Sequence, residues 1–325
     1  LERLVRAVAR CNLPLAGRCL AEAGGEGELA KALRGKLLAR QRDRRAHLRA
    51  RIDAGLALGE LGHPELRPQP FAFEGQTVWA ILPPMQQIRA GTFIFGSSRE
   101  NKEAIANEYA DPRQKDLPAF SIGRYPVTNA EYRYFYEAGG YDEKRWWDQA
   151  GWEWRQGGAE AHRAAIEEWM RLREWLQGID LEEFARQVSW WQRLVALWQE
   201  VIALSEPDAL KRAERIFSRP FDRPAFWDDA DLSAPARPVV GVNWHEARAY
   251  CTWLSAVTGR EFTLPEELQW EKAARGVDGR EYPWEGDHDP RRCNTAESRI
   301  GLSTPVGTYA DGVSPFGLFD AAGEV

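Results

Sequence analysis

Nine side chains could carry redox or metal chemistry: Cys11, Cys19, Cys251 and Cys293, and His47, His63, His162, His245 and His288. Thiolates and imidazoles hold metals when two to four of them fall at short spacing, as in Cys-x-x-Cys or two histidines one helical turn apart. Here Cys11 and Cys19 flank Pro14, Cys251 sits in an apolar helical stripe, Cys293 is in a loop, and no two histidines fall at ligand spacing on one helix. Spacing therefore gives neither a metal cage nor a disulfide framework. The acid pairs Glu266-Glu267 and Asp228-Asp229 read as helix-end and solvated charges rather than a general acid–base couple. Gly24-Gly25-Glu26-Gly27 lacks the Lys-Ser/Thr that completes a phosphate loop and reads as a helix break. No serine nucleophile with elbow glycines is present. No catalytic and no cofactor-binding residue is assigned on these grounds.

The elements that would position such groups divide the chain in three. Residues 1–68 read as helices over 1–13, 15–23, 28–48 and 50–61, broken at Pro14, Gly24-Gly25 and Gly62-His63-Pro64. On the third helix, Arg40-Gln41-Arg42-Asp43-Arg44-Arg45 spreads its charges around the circumference, which predicts a solvated surface. Residues 69–325 form the second unit, interrupted by 159–218. In that insertion Trp169, Leu172, Leu176, Phe184, Val188, Trp191, Leu194, Trp198, Val201 and Ile202 recur at three and four spacing, predicting two or three amphipathic helices. It is either a docking or oligomerisation element or a hairpin packed on its own domain, and so many tryptophans (Trp169, Trp175, Trp190, Trp191, Trp198) predict that part of it is covered. In the main unit, Asn243 precedes the stripe Ala247, Ala249, Tyr250, Cys251, Trp253, Leu254 and suits an N-cap, and Leu264-Pro265-Glu266-Glu267 opens a second short helix. Trp244, Trp253 and Trp270 on these helices are expected in the core.

With 325 residues, 44% hydrophobic and 28% charged, the chain can bury a substantial core in two structural units. A net charge of −6 argues against nucleic acid as a partner. No run approaches the ~18 apolar residues of a membrane helix, and a cytoplasmic protein is expected. The chain opens on Leu1 rather than Met, so an upstream portion is expected as well. Arginine dominance over lysine and only two methionines fit a thermophilic bacterium.

The run Arg237-Pro238-Val239-Val240-Gly241-Val242-Asn243-Trp244-His245-Glu246, followed by Phe262-Thr263-Leu264-Pro265-Glu266 and Trp270-Glu271-Lys272-Ala273-Ala274-Arg275-Gly276, resembles the core of the FGE-sulfatase family of formylglycine-generating enzymes and their non-catalytic relatives. Met85 to Gly96, Tyr125-Pro126-Val127-Thr128-Asn129, Tyr282-Pro283-Trp284, Thr304-Pro305-Val306-Gly307 and Ser314 to Val325 continue the pattern in order. The resemblance implies an α+β, C-type lectin-like fold over 69–325. The pattern resumes after 218 as though nothing intervened, so the ends of the insertion should lie close together. Ala54 to Pro68 resembles the tail of a HEAT-type repeat, which cannot bury its own face and should pack on the lectin-like domain or on an upstream domain.

Family membership implies several chemistries. Formylglycine-generating enzymes oxidise a substrate cysteine with copper on paired thiolates late in the domain; Cys251 and Cys293 come from segments that do not carry that copper. The iron of ergothioneine-type sulfoxide synthesis needs a histidine set that His47, His63, His162, His245 and His288 do not supply by spacing. Structural calcium in the family points to Asn294 and Glu324, where Glu324 stands in place of the usual Asn. The reading that follows is a non-catalytic protein binding a protein or small-molecule ligand through its C-terminal loops, as do the variable proteins of diversity-generating retroelements; the alternative is a formylglycine-generating oxidase.

Overall fold

The structure, a computed structural model, describes residues 1–97, 112–157, 159–187, 195–217 and 221–324. Val188, Trp190, Trp191 and Leu194 of the insertion stripe lie outside these residues, as does Val325.

Four helices open the chain: α1 (Glu2–Cys11), α2 (Leu13–Glu22), α3 (Glu28–Gln41) and α4 (Leu48–Leu61). Pro14 does not break a helix but sits in the first turn of α2, where its missing N–H is not needed, and Asn12 caps that helix by accepting from Leu15 N–H at 3.0 Å. The helix expected over 28–48 stops at Gln41, and the one expected over 50–61 begins at Leu48. Asp43 turns the chain by accepting from Arg45 N–H at 3.0 Å, and His47 Nδ1 then accepts from Arg49 N–H to start α4. Val5, Ala16, Leu20, Leu33, Leu37, Ala57, Leu58 and Leu61 form the core of this helical unit.

The strands pair antiparallel: β1 (Pro68–Phe73) with β2 (Gln76–Ile81), β3 (Met85–Ile88) with β6 (Phe120–Gly123), and β4 (Gly91–Phe95) with β5 (Arg113–Leu117). Against them lie α5 (Asn129–Glu137), α11 (Trp244–Thr258) and α12 (Glu267–Arg275). Two capping boxes start α5 and α11. Thr128 and Glu131 exchange backbone and side-chain bonds at one, and Asn243 and Glu246 at the other, so the expected Asn243 cap is present. The α5–α11 interface is a mass of rings in which Tyr132 stacks on Tyr250 at 5.4 Å and Phe135 meets Trp253 at 5.7 Å.

Of the three tryptophans expected in that core, only Trp253 is there, 2% exposed. Trp244 is 56% and Trp270 46% exposed. The physical reason is register. Trp244 is the first residue of α11, ahead of the buried stripe, and Arg248 one turn later lies 4.7 Å over its ring. On α12 the inward face is Lys272, Ala273 and Ala274, which turns Trp270 outward.

After α6 (Gln149–Arg155) the insertion carries α7 (Ala159–Gln177), α8 (Leu181–Gln187), α9 (Val195–Ala203) and α10 (Glu206–Phe217). Leu176, Leu181, Trp198 and Val201, with Trp169, Leu172 and Phe184 around them, give it a small core of its own, while Trp175 is 49% exposed. Its ends do meet: Phe221 N–H donates to Arg155 O at 3.0 Å, and Phe221 stacks on Trp154 at 4.6 Å. No helix among the described residues is long and apolar enough to cross a membrane.

Trp253→Ala should lower the unfolding free energy by about 3–5 kcal/mol, as a large-to-small change in a packed core. Trp270→Ala should cost about 1 kcal/mol or less. Urea denaturation of the two variants checks the pair, and equal losses would refute the outward register of Trp270.

Candidate functional site

The C-terminal loops, 288–324, bring Asn294 and Glu324 together, and the local backbone explains how. Asn294 and Gly323 form a parallel bridge, with Glu324 N–H donating to Asn294 O at 2.9 Å. Gly323 has φ +77°, and a Cβ there would lie 2.4 Å from Asn294 O, so only glycine fits. Glu324 itself sits at φ +75° and Asp320 at +56°, strained for residues with a Cβ.

Both carboxyls are buried beneath the Thr304–Gly307 stretch. Glu324 accepts from Thr304 N–H at 2.7 Å and from the Thr304 hydroxyl; Asp320 Oδ2 accepts from Gly307 N–H at 2.7 Å. Asp320 Oδ1 finds no hydrogen-bond partner among the described residues, nor do Nε and Nη1 of Arg237, whose buried guanidinium is close enough to feel the Glu324 charge. Burial pushes both carboxyls up, and for Glu324 the neighbouring Asp320 adds to it. Asn294 Oδ1 accepts from Ser298 Oγ at 3.0 Å, and Nδ2 donates to Leu302 O at 2.8 Å. As folded, the side-chain oxygens of Asn294 and Glu324 are thus spent on Ser298 and Thr304, and the pair does not present the six to eight free oxygens of a calcium cage.

The helical unit braces this cluster from outside. Gln41, fully buried, donates from Nε2 to Val306 O at 2.9 Å. Arg51 donates to Gln41 O at 3.1 Å and to Thr308 O. Arg44 donates to Ala310 O at 3.0 Å and pairs with Asp311 at 2.9 Å. Arg42 donates to the Tyr125 hydroxyl at 2.6 Å, which donates to Glu65 at 2.6 Å. Of the basic run read as solvated, Arg42 and Arg44 are thus docked on the family domain, while Arg40 and Arg45 stay exposed. Helical circumference said nothing of this, because the turn at Asp43 re-aims Arg42 and Arg44. Burial alone would raise the Glu65 pKa, but the Tyr125 hydroxyl and Arg42 outweigh it and hold it low.

The histidines stand apart. His47 caps α4, His63 is buried, His162 lies on α7, His245 is 3.6 Å from Asp148 beside Trp154, and His288 Nε2 is 3.7 Å from Cys293 Sγ. Among the described residues no group of three or more His, Cys, Asp or Glu could hold a metal ion. Burial pushes the Cys251 thiol up to about 11 and also raises Cys293. All four cysteines are free.

Residues 74–325 match the FGE-sulfatase family, described as a sulfatase-modifying factor enzyme 1-like domain. The chain belongs to that family. It is 30% identical over 260 residues to a hercynine oxygenase of Mycolicibacterium thermoresistibile, covering 75% of this chain and 44% of that protein. A formylglycine-generating enzyme of Thermomonospora curvata is 30% identical over 258 residues, 74% of this chain and 69% of the enzyme. An inactive C-alpha-formylglycine-generating enzyme 2 of Bos taurus is 38% identical over 98 residues, 27% of this chain and 31% of that protein. The chain thus spans under half the length of the hercynine oxygenase, and its relatives include both proteins named as enzymes and proteins named inactive.

Glu131 and Glu246, buried in the two capping boxes, are each pushed up to about 7, by burial first. An acid that ionises near 4.5 unfolded and near 7 folded keeps its proton longer in the native state. Its contribution is present below 4.5 and is lost as pH rises through 7. Burial pushes His63 the other way, to about 4, so its contribution grows as pH rises from 4 and is complete above about 6.5. Between pH 6.5 and 8.5 Asp320 and Glu324, also raised by burial, titrate alongside them, and stability should fall, by roughly 1 kcal/mol each for Glu131 and Glu246. Urea midpoints across that range measure the slope, which Glu246→Gln should reduce, its oxygen accepting from Asn243 N–H and its amide N–H donating to the Tyr141 hydroxyl oxygen in place of the second carboxylate oxygen; a flat profile would contradict the burial argument.

Proposed function

We propose that this chain is a ligand-binding member of the FGE-sulfatase family that presents its surface from the C-terminal loops and does not oxidise cysteine. The observation that carries the reading is the bracing of 304–311 by Gln41, Arg44 and Arg51, since a fixed base is what lets neighbouring loops vary without loss of the fold. Cys251 and Cys293 accord with it as free thiols whose pKa burial raises. The finer form is a variable protein of a diversity-generating retroelement, in which the ligand, protein or small molecule, is set by residues around these loops. A cytoplasmic setting accords with four free thiols. Calcium at Asn294 and Glu324 belongs to the same proposal, and would require Ser298 and Thr304 to turn away from them.

The second reading, a formylglycine-generating oxidase, is favoured by the 69% coverage of the Thermomonospora curvata enzyme. One preparation separates the two. Incubated with copper and a cysteine-containing peptide under air, the protein should leave the peptide unchanged by mass spectrometry, and aldehyde formation would decide for the oxidase. Melting of the same preparation with calcium and then with EDTA tests Asn294 and Glu324: a calcium-dependent rise supports the ion, and identical curves remove it.

A further inference from the structure

A second concavity, backed by Val306 of the C-terminal loops, whose N–H donates to Ala236 O at 2.8 Å, lies where the helical unit meets the family domain. It encloses about 290 Å³, near the small end of ligand pockets. Its walls come from both units: Gly59 and Gly62 at the end of α4 and the His63–Pro68 segment on one side, Ile81 of β2, the outer face of α5 and Pro235-Ala236 on the other. Leu66, Ile81 and Ala236 give an apolar floor, each under 5% exposed.

The charge arrangement at this cleft is one-sided. His63 is buried and stays neutral, because burial depresses its pKa. Arg133 lines the mouth, but its guanidinium is drawn 5.5 Å over the Trp227 ring. Glu137 also lines the mouth, is exposed, and has no hydrogen-bond or ion-pair partner among the described residues. The C-terminal end of α5, at Glu137, reaches the cleft and carries partial negative charge, whereas that of α4 is already met by Arg34, whose Nε donates to Leu61 O at 2.9 Å. An apolar floor with an unpaired carboxylate and a helix C-terminus at its mouth attracts a cation attached to an apolar body.

We propose that this junction cleft binds a small hydrophobic ammonium compound, with the apolar body on Leu66, Ile81 and Ala236 and the ammonium against Glu137. Such a ligand would touch both units at once and so stabilise their docking by mass action. The proposal does not rest on the ligand-binding reading above.

The test uses the full chain with methyl groups labelled for NMR and three probes of nearly equal shape: 2-phenylethylammonium, 2-phenylethanol and phenylacetate. The ammonium should shift the Leu66 and Ile81 methyl signals saturably, the alcohol should bind at least tenfold more weakly, and phenylacetate weaker still. Glu137→Gln, at an exposed position, should bring the ammonium down to the level of the alcohol. Ala130→Leu, which fills the cleft from α5, should abolish both. Equal binding of ammonium and alcohol, a preference for phenylacetate, or an unchanged ratio in Glu137→Gln would overturn the charge assignment. Absence of any saturable shift at Leu66 and Ile81 in the wild-type chain would overturn the site.

Discussion

The buried bond from Gln41 to the Val306 carbonyl, with Arg51 reaching Thr308 beside it, is the constraint on which the rest hangs. A loop rich in backbone carbonyls, 304–310, is covered by helices and must have each buried acceptor met. Gln41 and Arg51 meet them from outside, and Glu324 and Asp320 serve the Thr304 and Gly307 amides from inside. The stretch is held between two layers of polar side chains, and the helical unit is therefore structural to the C-terminal loops rather than an appendage.

This arrangement concentrates strain and buried charge in one place. Two residues with a Cβ take left-handed backbone to aim their carboxyls inward, and an arginine lies buried nearby without full hydrogen bonding. Such features persist only where surrounding structure over-determines them. Elsewhere the domain follows ordinary rules, with capping boxes starting α5 and α11 and an aromatic core between them. The 304–310 stretch thus rests on a base fixed from both sides.

The junction has a second consequence. Gly59 packs so closely on Ala236 that a Cβ would fall 2.7 Å from the Ala236 Cβ, which joins the two units at one edge and leaves the cleft at the other. The Arg42–Tyr125–Glu65 network closes the far side, where Phe319 stacks 5.3 Å from Tyr125. Docking through polar contacts and the tight glycine contacts of Gly55 on Pro305 and Gly59 on Ala236 leaves room for a ligand in a way that a continuous apolar interface would not.

The ordered motifs from Met85 to Glu324 determined the family and its α+β class, since the spacing of capping residues and apolar stripes is local information. Asn243 as a cap, Trp253 in the core and the helices α7 to α10 were all legible for that reason. Asn294 and Glu324 as calcium positions rested on resemblance rather than spacing, and their meeting across the Asn294–Gly323 bridge is visible only in the structure. Only the tertiary structure decided which face each helix buries: Trp244 and Trp270 are exposed because their positions fall just outside the inward register, and a composition rule cannot see register. The destination of Arg42, Arg44 and Gln41 was equally hidden, because their partners lie up to 267 positions away and a single turn at Asp43 sets their direction. Long-range polar pairing of this kind has no sequence period, so it becomes visible only when the two units are packed.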